Sequence, residues 1–173
     1  MIRARFTWML GLALALALPA RAATYYVTVA GLGGEPDYDQ RFTAEANELD
    51  RILKASGGDP HVYTLSGAQA TAAKLQDTLA QVAQQAKPED DFVLILIGHG
   101  SFDGEEYKFN LPGPDLSGAD LARLCNRIAS KRQVIVNTTS ASGGSVAALE
   151  KPGRAVIPSL LGSTPFKTTD RHR

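Results

Sequence analysis

Asp90-Asp-Phe-Val-Leu-Ile-Leu-Ile-Gly-His-Gly-Ser101 is the stretch whose reading decides the fold. Its six consecutive apolar residues, Phe92 to Ile97, are too few for a helix of ordinary length and are bracketed by acids and glycines. They read as a strand buried on both faces of a sheet. The strand ends in Gly98-His99-Gly100, so an imidazole sits between small residues at a carboxyl strand end, where open α/β sheets collect ligands and catalytic groups. Further on, Gln133-Val-Ile-Val-Asn-Thr-Thr-Ser-Ala-Ser-Gly-Gly-Ser145 repeats the plan: an apolar strand, then a turn rich in hydroxyls and glycine. Two strands with such ends imply one shared site.

Strands are also expected at Thr24–Ala30, His61–Leu65 and Arg154–Ile157, each rich in β-branched or aromatic residues. Gly31-Leu-Gly-Gly34 and Glu35-Pro-Asp-Tyr-Asp39 read as a loop. A helix follows from about Arg41 to Ser56, with Phe42, Ala46, Leu49, Ile52 and Leu53 on one face. A second is expected around Thr71 to Ala86, and a third after Ser117, a cap with Asp120 three residues on. Glu106–Leu111 reads as an edge segment and Gly144–Glu150 as a short helix. Strand–helix alternation of this kind gives an α/β fold with a mostly parallel sheet and helices on both faces. Gly31-x-Gly-Gly34 invites a dinucleotide reading, but its third glycine is misplaced and no helix opens on the glycines.

The first 22 residues read as a signal peptide, with Arg3 and Arg5 before an apolar run from Trp8 to Leu18 and a cleavage signal at Ala20-Arg21-Ala22. That run is too short to span a bilayer. The expected location is therefore secreted, most simply a bacterial periplasm, with one domain over residues 23–157 and an irregular tail over 158–173. Of 18 basic side chains three lie in the leader, so the mature chain is slightly acidic against its 18 acidic ones. With no basic stripe, nucleic acid is not an expected partner. Cys125, the sole cysteine, falls on an apolar helical face with Leu121, Leu124 and Ile128 and reads as core. No metal-ligand spacing of Cys or His occurs, and neither a metal nor another cofactor is expected.

With these positions placed, most of Tyr25 to Ile157 resembles the caspase-like cysteine peptidases, and within them the legumain family. The resemblance rests on three blocks in order: Tyr38-Asp-Gln-Arg41 after the first strand, His99-Gly100 ending the central strand, and Thr139-Ser-Ala-Ser-Gly143 ending a later one. It implies a three-layer caspase-like sandwich that hydrolyses peptide bonds. His99 would be the general base, and the N–H groups of Gly100 and Ser140 would face the oxyanion. Ser140 stands where the family has its nucleophilic cysteine. Asp39 lies where legumains have an Asn that orients the imidazole, which suggests an Asp39-His99-Ser140 triad. Arg41 and Thr138 lie where legumains have an Arg and a Glu lining the substrate pocket.

The departures at Ser140, Thr138 and Gly98 mean that a preference for Asn or Asp does not transfer. A serine hydroxyl, unlike a thiol, is not ionised near neutrality and needs close base contact and an orienting acid. Two functions follow: a peptide hydrolase, or an inactive pseudo-peptidase that binds peptide as a secreted scaffold. For Asp39 a helix N-cap, and for Arg41 a surface position, are the bland alternatives. A hydrolase elbow at Ser142 is a rival reading, but it requires a histidine after the serine. Caspase-like domains continue past a fifth strand, whereas the alternation stops here, so the chain is expected to be truncated or frame-altered. Its last strand would then be an exposed edge open to self-association.

Overall fold

The computed structural model describes residues 22–159. Except for Ala22, the leader read at 1–22 lies outside the described residues, and so do residues 160–173 of the tail. In chain order the elements are β1 (Thr24–Ala30), α1 (Pro36–Ala55), β2 (His61–Leu65), α2 (Ala72–Gln85), β3 (Asp91–Ile97), β4 (Gly100–Phe102), β5 (Tyr107–Phe109), β6 (Leu116–Ser117), α3 (Gly118–Asn126), β7 (Arg132–Asn137), α4 (Val146–Leu149) and β8 (Arg154–Pro158). Five strands form one sheet in the order β2-β1-β3-β7-β8, and every neighbouring pair is parallel. The α/β expectation with a parallel sheet holds, and β3 is its central strand.

Phe42 and Ala46 of α1 pack on Ala30 and Ile97 on one face. On the other, Leu75, Leu79 and Val82 of α2 and Leu121 and Leu124 of α3 close over Val27, Val29, Leu94 and Leu96. Three layers result. The two faces are unequally covered: Phe92, Leu94 and Leu96 are fully buried, whereas Val93 and Ile95, on the α1 face, are only half-buried. The expectation of a strand buried on both faces thus holds fully on one face alone.

Local signals explain the helix starts. Thr71 caps α2 by accepting the Lys74 N–H at 3.2 Å, and Ser117 caps α3 by accepting the Asp120 N–H at 3.0 Å. Helix α1 opens at Pro36, five residues before the expected Arg41, with Asp37 and Asp39 in its first turn. Proline at the first helical position has a preset φ, and acids there face the positive end of the helix dipole. Glu106–Leu111 is not an edge: β5 is the middle strand of a small antiparallel sheet ordered β4-β5-β6, and Tyr107 and Phe109 are buried.

Strand β8 does end the main sheet among the described residues. Gly153 C=O and Ser159 N–H bond to β7, so alternation points Arg154, Val156 and Pro158 outward. Arg154 N–H is already given to Lys151 C=O, and proline has no N–H. The free edge therefore offers one donor, that of Val156, which blunts it against strand addition.

At the amino end of the sheet, the buried Asp90 carboxylate accepts the Ala23 N–H and the Lys87 N–H, both at 2.8 Å. Burial works to raise its pKa, but the two N–H bonds, aided by the Lys87 and His61 charges, hold it below the usual aspartate value. A depressed folded pKa contributes stability that is present above the unfolded-state value and lost as pH falls through the folded one. Asp90→Ala is expected to cost about 1–3 kcal/mol at pH 7, and to flatten the loss of stability between about pH 4 and pH 2. Urea melts of both proteins across that range check this.

Candidate active site at the carboxyl end of the sheet

Strands β3 and β7 are paired so that Leu96 stands opposite Asn137. His99 and Ser140 each follow their member of that pair by three residues, and the two side chains meet. His99 Nδ1 lies 3.1 Å from Ser140 Oγ. For Nδ1 to accept the hydroxyl proton, the neutral ring must carry its own proton on Nε2. Ser140 is exposed and His99 half-buried, so the contact is open to solvent.

The imidazole is held by aromatic edges. Tyr38 and Phe42, four residues apart and so on one face of α1, meet the ring at centroid distances of 5.1 and 5.3 Å with near-perpendicular planes. The Arg41 guanidinium lies 5.4 Å from the Tyr38 ring and 5.7 Å from the Phe42 ring, within cation–π range. Its Nε is 3.4 Å from Glu45 Oε1, a solvent-exposed pair worth little by itself. Tyr38, Arg41, Phe42, His99, Thr138 and Ser140 line a cleft of about 510 Å³. Thr138 is anchored in it by donating to Leu96 C=O at 2.9 Å.

A buried polar network fixes the turn bearing Ser140. Asn137 Oδ1 accepts from the Thr139 N–H at 3.2 Å and the Thr139 hydroxyl at 2.8 Å, and Asn137 Nδ2 donates to Ser145 Oγ at 3.0 Å. The Tyr107 hydroxyl lies 2.6 Å from Thr139 Oγ1. Burial pushes its pKa up, which keeps it a donor. Such a network over-determines the turn, so Ala141 can hold the left-handed conformation at φ 54° that a non-glycine residue adopts only at a cost.

Gly100 supplies the close approach. Asn110 N–H donates to His99 C=O, which makes Gly100–Phe109 the non-hydrogen-bonded kind of antiparallel pair. The β5 ladder therefore leaves the Gly100 N–H unused, and the Ser140 N–H likewise has no backbone acceptor among the described residues. A Cβ on Gly100 would stand 2.7 Å from both the Ser140 carbonyl oxygen and the Tyr107 ring.

One expected member is not brought in. Asp39 Oδ1 accepts the Gly33 N–H at 2.7 Å, tying the loop after β1 to the helix. It borders a separate surface depression with Gln40, Thr43, Ala44 and Asn47. Asp39 is one step from Tyr38 on a helix, about 100° round, so it faces away from the ring that Tyr38 touches. The Asp39-His99-Ser140 triad is corrected to a His99–Ser140 pair. Asp39 is not the N-cap either, since Glu35 holds that position. Ser142 is buried, with its Oγ accepting the Ser159 N–H at 3.0 Å, which removes the elbow reading. Cys125 is fully buried, and burial pushes its thiol up to about 11, the opposite of an activated nucleophile. Sequence reasoning missed the contacts of Tyr38 and Phe42 with His99; their i, i+4 spacing was the available signal. No group of three or more His, Cys, Asp or Glu among the described residues could hold a metal ion.

No protein-family model matches the chain, and no curated protein does. Among solved structures it is similar to protein GSU0716 from Geobacter sulfurreducens, with a TM-score of 0.54 and 18% identity over 69% of this chain and 51% of that one. The chain thus spans about half of that protein's length, and at this identity the likeness shows the fold alone.

Gly100→Ala is expected to displace β4 from the Ser140 turn and to cost about 1–3 kcal/mol, the range for forced overpacking. A thermal melt that matches wild type would contradict the close approach.

Proposed function

We propose that the chain carries a caspase-like peptidase domain of the legumain type, hydrolysing peptide bonds with residue 140 as nucleophile and His99 as general base. The observation that carries this reading is the 3.1 Å contact between His99 Nδ1 and Ser140 Oγ at an open cleft. In the proposed reaction His99 Nδ1 takes the Ser140 proton as Oγ attacks the carbonyl carbon. The Gly100 and Ser140 N–H groups receive the oxyanion. The imidazolium then gives that proton to the leaving amine, leaving an acyl ester on Ser140. Water, deprotonated by His99, attacks the ester carbonyl, and the imidazolium returns that proton to Ser140 Oγ as the acid leaves. Arg41 and Thr138 are the substrate-binding side chains.

A specific observation favours the second reading, an inactive peptide-binding domain: no carboxylate among the described residues hydrogen-bonds the His99 ring. In serine peptidases, replacing the orienting acid by its amide lowers kcat by about 10⁴-fold. Ser140→Cys separates the two. A thiol is partly ionised near neutrality and less dependent on an acid, so this variant is expected to hydrolyse unstructured peptides at least about tenfold faster than wild type. A fluorophosphonate probe is expected to label Ser140 slowly and to leave Ser140→Ala unlabelled. A folded Ser140→Cys protein without turnover, together with an unlabelled wild type, selects the binding domain.

We also propose that the protein is exported and cut after Ala22. Support comes from the hydrogen bond that places the Ala23 nitrogen 2.8 Å from the buried Asp90 carboxylate. Cleavage there turns that amide into an ammonium group beside the same carboxylate, exchanging a neutral donor for a charge-assisted one. Mass spectrometry of protein recovered from an exporting bacterial host is expected to show a chain starting at Ala23. Retention of Met1 sinks the assignment.

A further inference from the structure

The amino end of the sheet, opposite His99, holds a buried cation without an acid. Arg154 is 8% exposed. Its Nε donates to Gln133 Oε1 at 2.9 Å, Nη1 to Leu149 C=O at 3.0 Å and Nη2 to Asn126 Oδ1 at 3.0 Å. All three acceptors are neutral. None of the ion pairs among the described residues includes Arg154. The guanidinium is therefore hydrogen-bonded but, among the described residues, its charge is uncompensated, and taking such a charge out of water costs several kcal/mol as a rule.

Arg154 forms part of the wall of a recess of about 260 Å³, which also takes in Ser130, Lys131, Gln133, Lys151 and Gly153. Three of its lining residues are cationic and none is acidic. Ser130 is 5% exposed, and its hydroxyl has no hydrogen-bond partner among the described residues. A buried hydroxyl left unpaired calls for an explanation. Gln133 does not supply one: its Nε2 donates towards the carbonyls of Cys125, Ile128 and Ser130, and its Oε1 accepts from Arg154 Nε. The walls are also fixed against each other. Gly153 has φ +81°, and a Cβ there would stand 2.3 Å from the Lys131 carbonyl oxygen, so the two lysine-bearing loops meet backbone to backbone.

We propose that this recess is a binding site for a small tetrahedral oxyanion, phosphate or sulfate. Such an ion supplies the negative charge that Arg154 lacks. Its several acceptor oxygens suit a site of ammonium, guanidinium and hydroxyl donors, where charge-assisted bonds are the strong ones. The site lies at the far end of β7 and β8 from Ser140, so it stands or falls independently of the peptidase reading.

The test is thermal unfolding of the full chain titrated with inorganic phosphate, with sodium sulfate, and with sodium chloride or acetate at matched ionic strength. Phosphate and sulfate at about 50 mM are expected to raise Tm by roughly 5 °C, with the rise following the logarithm of concentration once the site fills. Chloride and acetate should produce at most a small fraction of that shift. Lys131 and Lys151 are exposed, so Lys131→Ala/Lys151→Ala should fold and lose most of the phosphate effect. Lys74→Ala, an exposed lysine elsewhere, should keep it. Calorimetric titration with phosphate should show a Kd at least tenfold weaker for the double variant. An equal Tm shift in the double variant, an equal shift with acetate or chloride, or no shift with phosphate in wild type each overturns the proposal.

Discussion

The in-register parallel pairing of β3 with β7 is the constraint on which the candidate site depends. Leu96 and Asn137 stand side by side in that ladder, and each strand carries its chemistry three residues later. A one-residue slip would do more than move Ser140 along the axis. It would turn alternate side chains to the other face, carrying Ile135 and Asn137 from the face they share with Leu94 and Leu96 to the less buried α1 side and breaking the bonds of Asn137 to Thr139 and Ser145. The apolar pattern of β7 thus protects the register, and the register protects the contact between imidazole and hydroxyl. Burial and site geometry are enforced by the same alternation.

Periodicity made the main sheet legible, because a parallel sheet with helices on both faces writes continuous apolar runs that few other structures use. Residues 99, 100 and 140 were legible for the same reason: each ends or follows such a run, and chain order alone places strand ends together. Asp39 was misplaced because of a boundary. Taking Glu35 to Asp39 as loop left its carboxylate free to reach the imidazole. Starting the helix at Pro36 fixes its direction instead, and in that direction Tyr38, Arg41, Phe42 and Glu45 face the cleft while Asp39 faces the Gly33 amide. The signals of an early start were present in Pro36 and the acids after it. The Tyr107–Thr139–Asn137 network was not legible at all, since it joins residues about 30 apart through a small sheet whose strands have two or three residues.

The surroundings of His99 bear on which nucleophile they suit. Tyr38 and Phe42 fix the ring's orientation through their edges, which does part of what an orienting acid does. They do not balance the positive charge that the ring acquires when it takes a proton. Arg41, stacked on the same two rings, adds positive charge to the cleft, offset only in part by the exposed Glu45. In the proposed reaction, the proton leaving Ser140 would pass to an imidazole that no carboxylate among the described residues hydrogen-bonds. In the proposed mechanism a thiol at the same position would change the balance, because a thiolate can persist beside an imidazolium and supply its counter-charge. On the proposed reading, the 3.1 Å contact of His99 Nδ1 with Ser140 Oγ would suit an ion pair between residues 99 and 140. With serine at 140, that pair would form only transiently, during the proposed attack.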